Sequence, residues 1–189
     1  MNAAHLQFLA SPDWAKWLEA ELLPWLVSLE LGDDLLEVGP GPGLTTDLLR
    51  QHAARVTAVE LDDDLAAALT ARMAGTNVDV VHGDATASGL PSDRFSAAAC
   101  FAMLHHIPSA ALQDRVFAEM HRVLRPNGIF VGTDSVDSDA IRDFHVDDVF
   151  VPLPPDQLAA RLEAVGFRDV DVHVGDFELR FCATKPVAR

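Results

Sequence analysis

The fold is decided by the stretch Leu35–Leu49, which reads LLEVGPGPGLTTDLL. An apolar run typical of a buried strand leads into three alternating glycines and then into the start of a helix. Glycine lets a backbone pass close to a ligand and adopts φ and ψ values that other residues resist. The stretch therefore predicts a strand, a loop and a helix that together hold a nucleotide-containing cofactor.

The glycine spacing distinguishes this loop from those that bind dinucleotides. Dinucleotide loops read Gly-x-Gly-x-x-Gly and place a pyrophosphate at the helix N-terminus, whereas here Gly43 comes one residue early. An acid, Glu37, also stands two residues before the first glycine. A carboxylate beside a phosphate is electrostatically unfavourable, but it suits an ammonium group. The loop therefore favours a nucleoside that carries an amino acid.

With this acid-x-Gly-x-Gly-x-Gly pattern, the chain resembles the class I S-adenosylmethionine-dependent methyltransferases. The resemblance is close over residues 33–134. It implies that S-adenosylmethionine is the cofactor, that Glu60 accepts hydrogen bonds from its ribose, and that Asp84 and Ala85 contact its adenine. The residues predicted to bind the cofactor are Glu37, Gly39, Pro40, Gly41, Gly43, Glu60, Leu61, Asp84, Ala85 and Phe101.

Two adjacent histidines follow the predicted strand Phe95–Phe101. The segment Leu104-His105-His106 is similar to one found in many small-molecule methyltransferases. A phenol, alcohol or ammonium acceptor would have to lose a proton, and histidine is the side chain that titrates near neutral pH. His105 and His106 are therefore the candidate catalytic residues. The alternative is that the pair only caps the next helix or packs beside the cofactor.

A long connection, Asp134–Pro155, follows the next predicted strand. Connections of this length are usually functional or mobile, so we expect it to supply part of the acceptor pocket. The candidate contacts and walls are Asp134, Ser135, Phe144, His145 and Phe150. No metal site is predicted for His145, Asp147 and Asp148, because adjacent acids on a flexible segment do not fix a coordination geometry.

Strand and helix patterns alternate from residue 33 onward and predict a doubly wound α/β sheet. Period-two runs at Val170–Val174 and Phe177–Cys182 predict a C-terminal antiparallel hairpin. With the family resemblance, these patterns imply a Rossmann-like, seven-stranded, mostly parallel sheet. Helices are predicted at Asp13–Leu31, Leu44–His52, Asp63–Met73, Ser109–Leu124 and Pro155–Val165.

Composition limits the size and the partners of the protein. The 189 residues, 49% of them hydrophobic, suit a single domain, with an N-terminal helical segment (1–32) packing on or capping the site of a methyltransferase domain (33–189). A net charge of −15 opposes binding to nucleic acid. No apolar run predicts a membrane span and no signal peptide is recognised, so a cytoplasmic location without membrane binding is expected.

These observations predict methyl transfer from S-adenosylmethionine to an O, N or C nucleophile of a small molecule. One alternative is a protein that binds the cofactor without catalysis, since pocket motifs do not report turnover. A nicotinamide-dependent oxidoreductase is the other alternative, although it would be expected to show Gly-x-Gly-x-x-Gly. The sequence does not indicate the acceptor or the oligomeric state.

Overall fold

A mixed β-sheet forms the centre of the molecule. The computed structural model describes residues 2–187, and within this range it contains seven strands: β1 (Asp34–Val38), β2 (Arg55–Glu60), β3 (Val78–His82), β4 (Phe95–Phe101), β5 (Leu124–Ser135), β6 (Arg168–Val174) and β7 (Glu178–Thr184). They lie in the order β3-β2-β1-β4-β5-β7-β6. The first five are parallel, and β7 pairs antiparallel with both β5 and β6. The predicted Rossmann-like sheet with its terminal hairpin is confirmed.

Helices cover both faces of this sheet. Over the described part of the chain they are α1 (Ala3–Leu9), α2 (Pro12–Trp17), α3 (Leu23–Ser28), α4 (Leu44–His52), α5 (Asp63–Met73), α6 (Ala110–Val123), α7 (Asp139–Phe144) and α8 (Pro155–Ala164). The bounds of α4 and α5 are those predicted. The long connection after β5 contains one short helix, α7, which is capped by Ser138 through a hydrogen bond from the Ile141 N–H to the Ser138 side chain.

The prediction of one regular helix at Asp13–Leu31 is wrong in detail. Helical structure runs from α2 through a π-helical turn at Leu18–Leu22 into α3, and it ends at Ser28. Proline has no N–H group with which to continue the regular hydrogen-bond ladder, and Pro24 follows the π turn directly after Leu23. There the Leu23 N–H donates to the Leu18 carbonyl, five residues back, as in a π-helix.

The core lies on the two faces of the sheet. One face buries a set of aromatic side chains from β4, α6, β5, β7 and the segment after α8: Phe95, Phe117, Phe130, Phe167 and Phe181. The other face buries Leu18, Leu22 and Leu26 from the N-terminal helices against β1 and α4. The N-terminal segment thus shares a hydrophobic core with the sheet. Among the described residues, no helix is long and apolar enough to cross a membrane.

Candidate functional site

The glycine loop joins β1 to α4 and needs glycine at all three positions. Gly39, Gly41 and Gly43 have φ angles of +66°, +54° and +83°, which L side chains rarely adopt. A Cβ at Gly39 would also overlap with the Met103 side chain, and one at Gly43 with Leu69. A Cβ at Gly41, by contrast, would have no described atom within 4 Å. Gly39 and Gly43 therefore permit close packing, whereas Gly41 leaves open space.

A cavity of about 590 Å³ lies beside this loop, at the carboxyl ends of the parallel strands. This is where open α/β sheets bind ligands. Eight of the ten predicted cofactor residues line it: Gly39, Pro40, Gly41, Glu60, Leu61, Asp84, Ala85 and Phe101. The lining does not include Glu37 or Gly43 among the described residues.

Glu60 connects the end of β2 to the glycine loop. Its side chain is buried, and its two carboxylate oxygens accept hydrogen bonds from the Gly41 N–H at 2.9 Å and the Asp62 N–H at 3.0 Å. A carboxylate has about four lone-pair sites, so each oxygen can accept one further bond from a hydroxyl in the cavity. The geometry fits the ribose-binding role that the resemblance implies.

Asp84 follows β3 and lies exposed at the wall of the cavity. One of its carboxylate oxygens accepts a hydrogen bond from the Thr86 N–H at 2.7 Å. This turn holds the side chain in place, and the second oxygen can accept a bond from a ligand.

Glu37 lies beneath the loop and anchors the first turn of α4. Its carboxylate accepts hydrogen bonds from the Thr45 hydroxyl and, at 2.6 Å, from the Thr46 hydroxyl. Burial raises the pKa of Glu37 to about 7, and the two hydroxyl donors partly oppose this rise. That Glu37 contacts a ligand ammonium stays a prediction.

The N-terminal helices contribute to the same cavity. Leu6, Leu9 and Trp14 are lining residues that the sequence did not identify. Asn2 fixes α1 in this place, because its Nδ2 donates to the Phe144 carbonyl at 3.0 Å and its backbone N–H to Asp148 at 2.7 Å. Helical periodicity predicts that such apolar residues are buried, but it does not reveal which surface they cover.

Four histidines converge beside the cavity: His5, His105, His106 and His145. One ring nitrogen of each lies within 4.8 Å of one ring nitrogen of each of the others. Burial lowers the pKa of His5 to about 3 and, with the nearby His105, that of His106 to about 4. Burial also lowers the pKa of His145. These three rings are therefore neutral at pH 7.

The two histidines predicted to be catalytic occupy different positions. His106 lines the cavity, whereas His105 is only 1% exposed and is not among the described lining residues. The Nδ1 of His105 lies 2.5 Å from the buried carboxylate of Asp134. A base with a pKa far below 7, such as His106, is a weak proton acceptor.

The expected acceptor-pocket residues of the long connection surround the histidines and not the cavity. The Phe144 ring lies 5.0 Å from that of His5, and the Phe150 ring 4.6 Å from that of His145. Asp134 also accepts a hydrogen bond from the Ser135 N–H at 2.7 Å. None of these side chains is a lining residue of the cavity over residues 2–187.

Comparisons with known proteins agree with this geometry. A family profile described as a methyltransferase domain matches residues 36–132, just over half of the 189-residue chain. The chain is 33% identical over 100 residues to a protein of Mycolicibacterium smegmatis named "probable S-adenosylmethionine-dependent methyltransferase", a match that covers 53% of this chain and 37% of that protein.

One further match is to a short part of the sequence, and another is to the structure of most of the chain. The ribosomal RNA small subunit methyltransferase A of Deinococcus radiodurans is 44% identical over 54 residues, 29% of this chain and 18% of that protein. The chain thus spans well under two thirds of these curated relatives. Phosphoethanolamine N-methyltransferase 2 of Haemonchus contortus, solved with phosphomonomethylethanolamine and S-adenosylhomocysteine, has a TM-score of 0.74 at 14% identity, over 89% of this chain and 53% of that chain.

Proposed function

Because the chain belongs to the class I S-adenosylmethionine-dependent methyltransferase family, we propose that it methylates a small-molecule acceptor. The observation that carries this proposal is the cavity wall formed by Leu6, Leu9 and Trp14. These residues face the same space as the glycine loop, so an acceptor beside them would share one cavity with the cofactor. A cavity of about 590 Å³ lies in the range of small-ligand sites.

The chain's own residues fit the cofactor. The open space at Gly41 lets the backbone approach a ligand, Glu60 has lone pairs for two ribose hydroxyls, and Asp84 with the Ala85 amide suits the adenine edge. When bound, S-adenosylmethionine supplies a methyl group activated by a sulfonium. The proposal includes three roles for these residues: Glu60 binds the ribose, Asp84 and Ala85 bind the adenine, and Glu37 binds the ammonium group.

The residues around the acceptor act mainly by positioning. The apolar side chains of Leu6, Leu9, Met103 and Ile107 form an apolar wall of the cavity that limits the orientations of an acceptor. Holding two reactants in line removes much of the entropic barrier to a bimolecular step. We assign no base to this step, and the base role predicted for His105 or His106 stays a prediction.

RNA is the second candidate acceptor, since several relatives, including that of Deinococcus radiodurans, are named as ribosomal RNA methyltransferases. That match covers only 29% of this chain. The net charge of −15 also repels a phosphate backbone. The proposal therefore favours a small molecule over RNA.

An assay of S-adenosylhomocysteine release tests the proposal. The purified protein is incubated with S-adenosylmethionine and pools of phenols, amines and carboxylic acids, and separately with ribosomal RNA. We expect product with at least one small-molecule pool, loss of that product in Glu60→Ala, and retention in Glu163→Ala, an exposed position on α8. Methylation of RNA alone would contradict the acceptor assignment, and cofactor binding without any product would favour a non-catalytic protein.

A further inference from the structure

The four converging histidines have ring nitrogens that the protein itself leaves unpaired. His5, His105 and His145 are 4%, 1% and 4% exposed. Among the described atoms, Nδ1 of His5 and Nε2 of His105, His106 and His145 are buried without a hydrogen-bond partner. Leaving several polar atoms unsatisfied in one buried place is unfavourable. A shared ligand would satisfy all four.

In three of these rings the other nitrogen, Nδ1, lies close to an oxygen atom, and this indicates which kind of ligand Nε2 can bind. Nδ1 of His105 lies 2.5 Å from the Asp134 carboxylate, Nδ1 of His145 lies 2.7 Å from the Ile141 carbonyl, and Nδ1 of His106 lies 3.2 Å from the Val149 carbonyl. Oxygen acceptors at Nδ1 place the proton there and leave a lone pair on Nε2. Carboxylates and carbonyls in this position support metal-binding histidines.

We propose that His5, His105, His106 and His145 bind one divalent transition-metal ion of the zinc type, which fixes α1 against the domain. Imidazole nitrogens suit such ions, and the neutral form binds them. Tetrahedral ligands at about 2.0–2.1 Å from zinc lie roughly 3.3 Å apart, so nitrogens now within 4.8 Å would approach by at most about 1.5 Å.

The charges near the histidines favour a cation. Asp134 is 2% exposed and contacts His105 directly, and Asp148 lies 3.7 Å from Nδ1 of His106. The apolar rings of Phe144 and Phe150 shield the cluster, which strengthens electrostatic attraction to an ion. This arrangement differs from a site built on the adjacent acids of the long connection, because its ligands are imidazoles.

The site would connect distant parts of the chain. His5 belongs to α1, a helix of seven residues, and a helix this short is only marginally stable alone. His105 and His106 follow β4, and His145 follows α7. A bound ion would therefore hold α1 in place, together with the cavity-lining residues Leu6 and Leu9.

Zinc binding to untagged, chelator-treated protein tests the proposal without any activity assay. A chromophoric chelator measures competition for Zn²⁺, and thermal unfolding is followed with and without the ion. We expect one Zn²⁺ per chain, a rise in Tm on adding it, and loss of both effects in His5→Ala and His145→Ala. His173→Ala, at an exposed position on β6, is the matched control and should behave as the parent protein.

A variant outside the four ligands guards against misfolding. Asp134→Asn keeps the shape of the side chain but weakens its support of His105, so Zn²⁺ affinity should fall by about 10- to 100-fold. Absence of zinc binding by the parent protein, or equal binding by the parent protein and the histidine variants, would overturn the proposal. If Zn²⁺ binding is lost in His145→Ala but survives in His5→Ala, the claim that the ion holds α1 in place would be overturned. Titration of the same samples with S-adenosylhomocysteine reports separately on the cofactor site.

Discussion

Glu60 shows how one side chain can shape a loop and line a cavity at the same time. Its carboxylate holds the Gly41 and Asp62 amides, so it shapes the glycine loop while it lines the cavity. The sequence predicts this position well, because an acid at the end of a parallel strand necessarily lies at the ligand-binding edge of the sheet. It does not predict the bonds to the backbone, which depend on the path of the loop.

Glu60→Ala is expected to weaken S-adenosylhomocysteine binding by about 1.5–3 kcal/mol, the range for hydrogen bonds to a charged group. Calorimetric titration measures the affinity, and circular dichroism checks that the variant is folded. Glu163→Ala, the exposed control on α8, should leave the affinity unchanged. An unaltered affinity in Glu60→Ala would refute the ribose assignment.

Glu37 is expected to make stability depend on pH. Its pKa is about 7 in the folded protein and near 4.5 when unfolded, so the folded state binds more protons between these values. Stability should therefore fall as pH rises from 4.5 to 7. Glu37→Gln removes this effect. As pH rises from about 4 to about 8, the free energy of unfolding of the variant should therefore increase by about 3 kcal/mol relative to that of the parent protein.

Denaturant unfolding at a series of pH values measures the effect of Glu37→Gln. Glu30→Gln removes the same charge from an exposed position and corrects for the change in net charge. If the free energies of unfolding of Glu37→Gln and Glu30→Gln change with pH in parallel, the Glu37 carboxyl does not have the raised pKa given above.

At the scale of elements, the three glycines of the loop differ in their surroundings, and only Gly41 has open space beside it. Gly39 and Gly43 are needed for packing against Met103 and Leu69, whereas Gly41 lines the cavity with open space beside it. The sequence identifies the loop but cannot separate these roles, because they depend on side chains that reach the loop from other elements.

Gly41→Ala should weaken cofactor binding by roughly tenfold or more, about 1.4 kcal/mol, because the new methyl group occupies the ligand's space. Gly75→Ala is a matched control. Gly75 also has a positive φ, +77°, and a methyl group there would have no described atom within 4 Å, but it is not a lining residue of the cavity. Both variants should lose similar stability, and calorimetry should show an affinity loss only for Gly41→Ala. Equal affinities would mean that the loop is only a turn.

Local patterns predict the regular elements better than the N-terminal helices. The start of α5 follows from a strong signal, the N-cap Asp62, whose side chain accepts hydrogen bonds from the Asp64 and Leu65 amides. The π turn before Pro24 is not predicted, because hydrophobic periodicity does not resolve a single extra residue per turn.

At the scale of the whole molecule, the C-terminal hairpin completes the sheet through a close contact at Gly132 on β5. A Cβ there would lie 2.5 Å from the Phe181 ring and 2.8 Å from the Cys100 carbonyl oxygen. Gly132→Ala should therefore destabilise the protein by about 1–3 kcal/mol through overpacking.

Gly83→Ala serves as the control for Gly132→Ala, since its Cβ would meet its nearest atom at an ordinary 3.5 Å. Denaturant unfolding of both variants gives the comparison. A Gly132→Ala variant as stable as Gly83→Ala would mean that the hairpin can move away from β5 without loss.

The whole-molecule arrangement also explains what the sequence could not predict. The grouping of the proposed cofactor residues around one cavity follows from the parallel strands, because these strands end at one edge of the sheet. The histidine cluster does not, since His5 and His145 are far apart in the chain and meet only where α1 packs beside α7. The part of the cavity wall formed by Leu6 and Leu9 depends on the same placement of α1.

Calorimetric titration with S-adenosylmethionine, S-adenosylhomocysteine and NAD tests the central claim most directly. We expect saturable binding of the two sulfur compounds and no binding of NAD, because the glycine loop lacks the Gly-x-Gly-x-x-Gly spacing of dinucleotide sites and is preceded by the acid Glu37, which disfavours a pyrophosphate. Binding of NAD in place of the sulfur compounds, or of none of the three, would contradict the assignment of this cavity to S-adenosylmethionine.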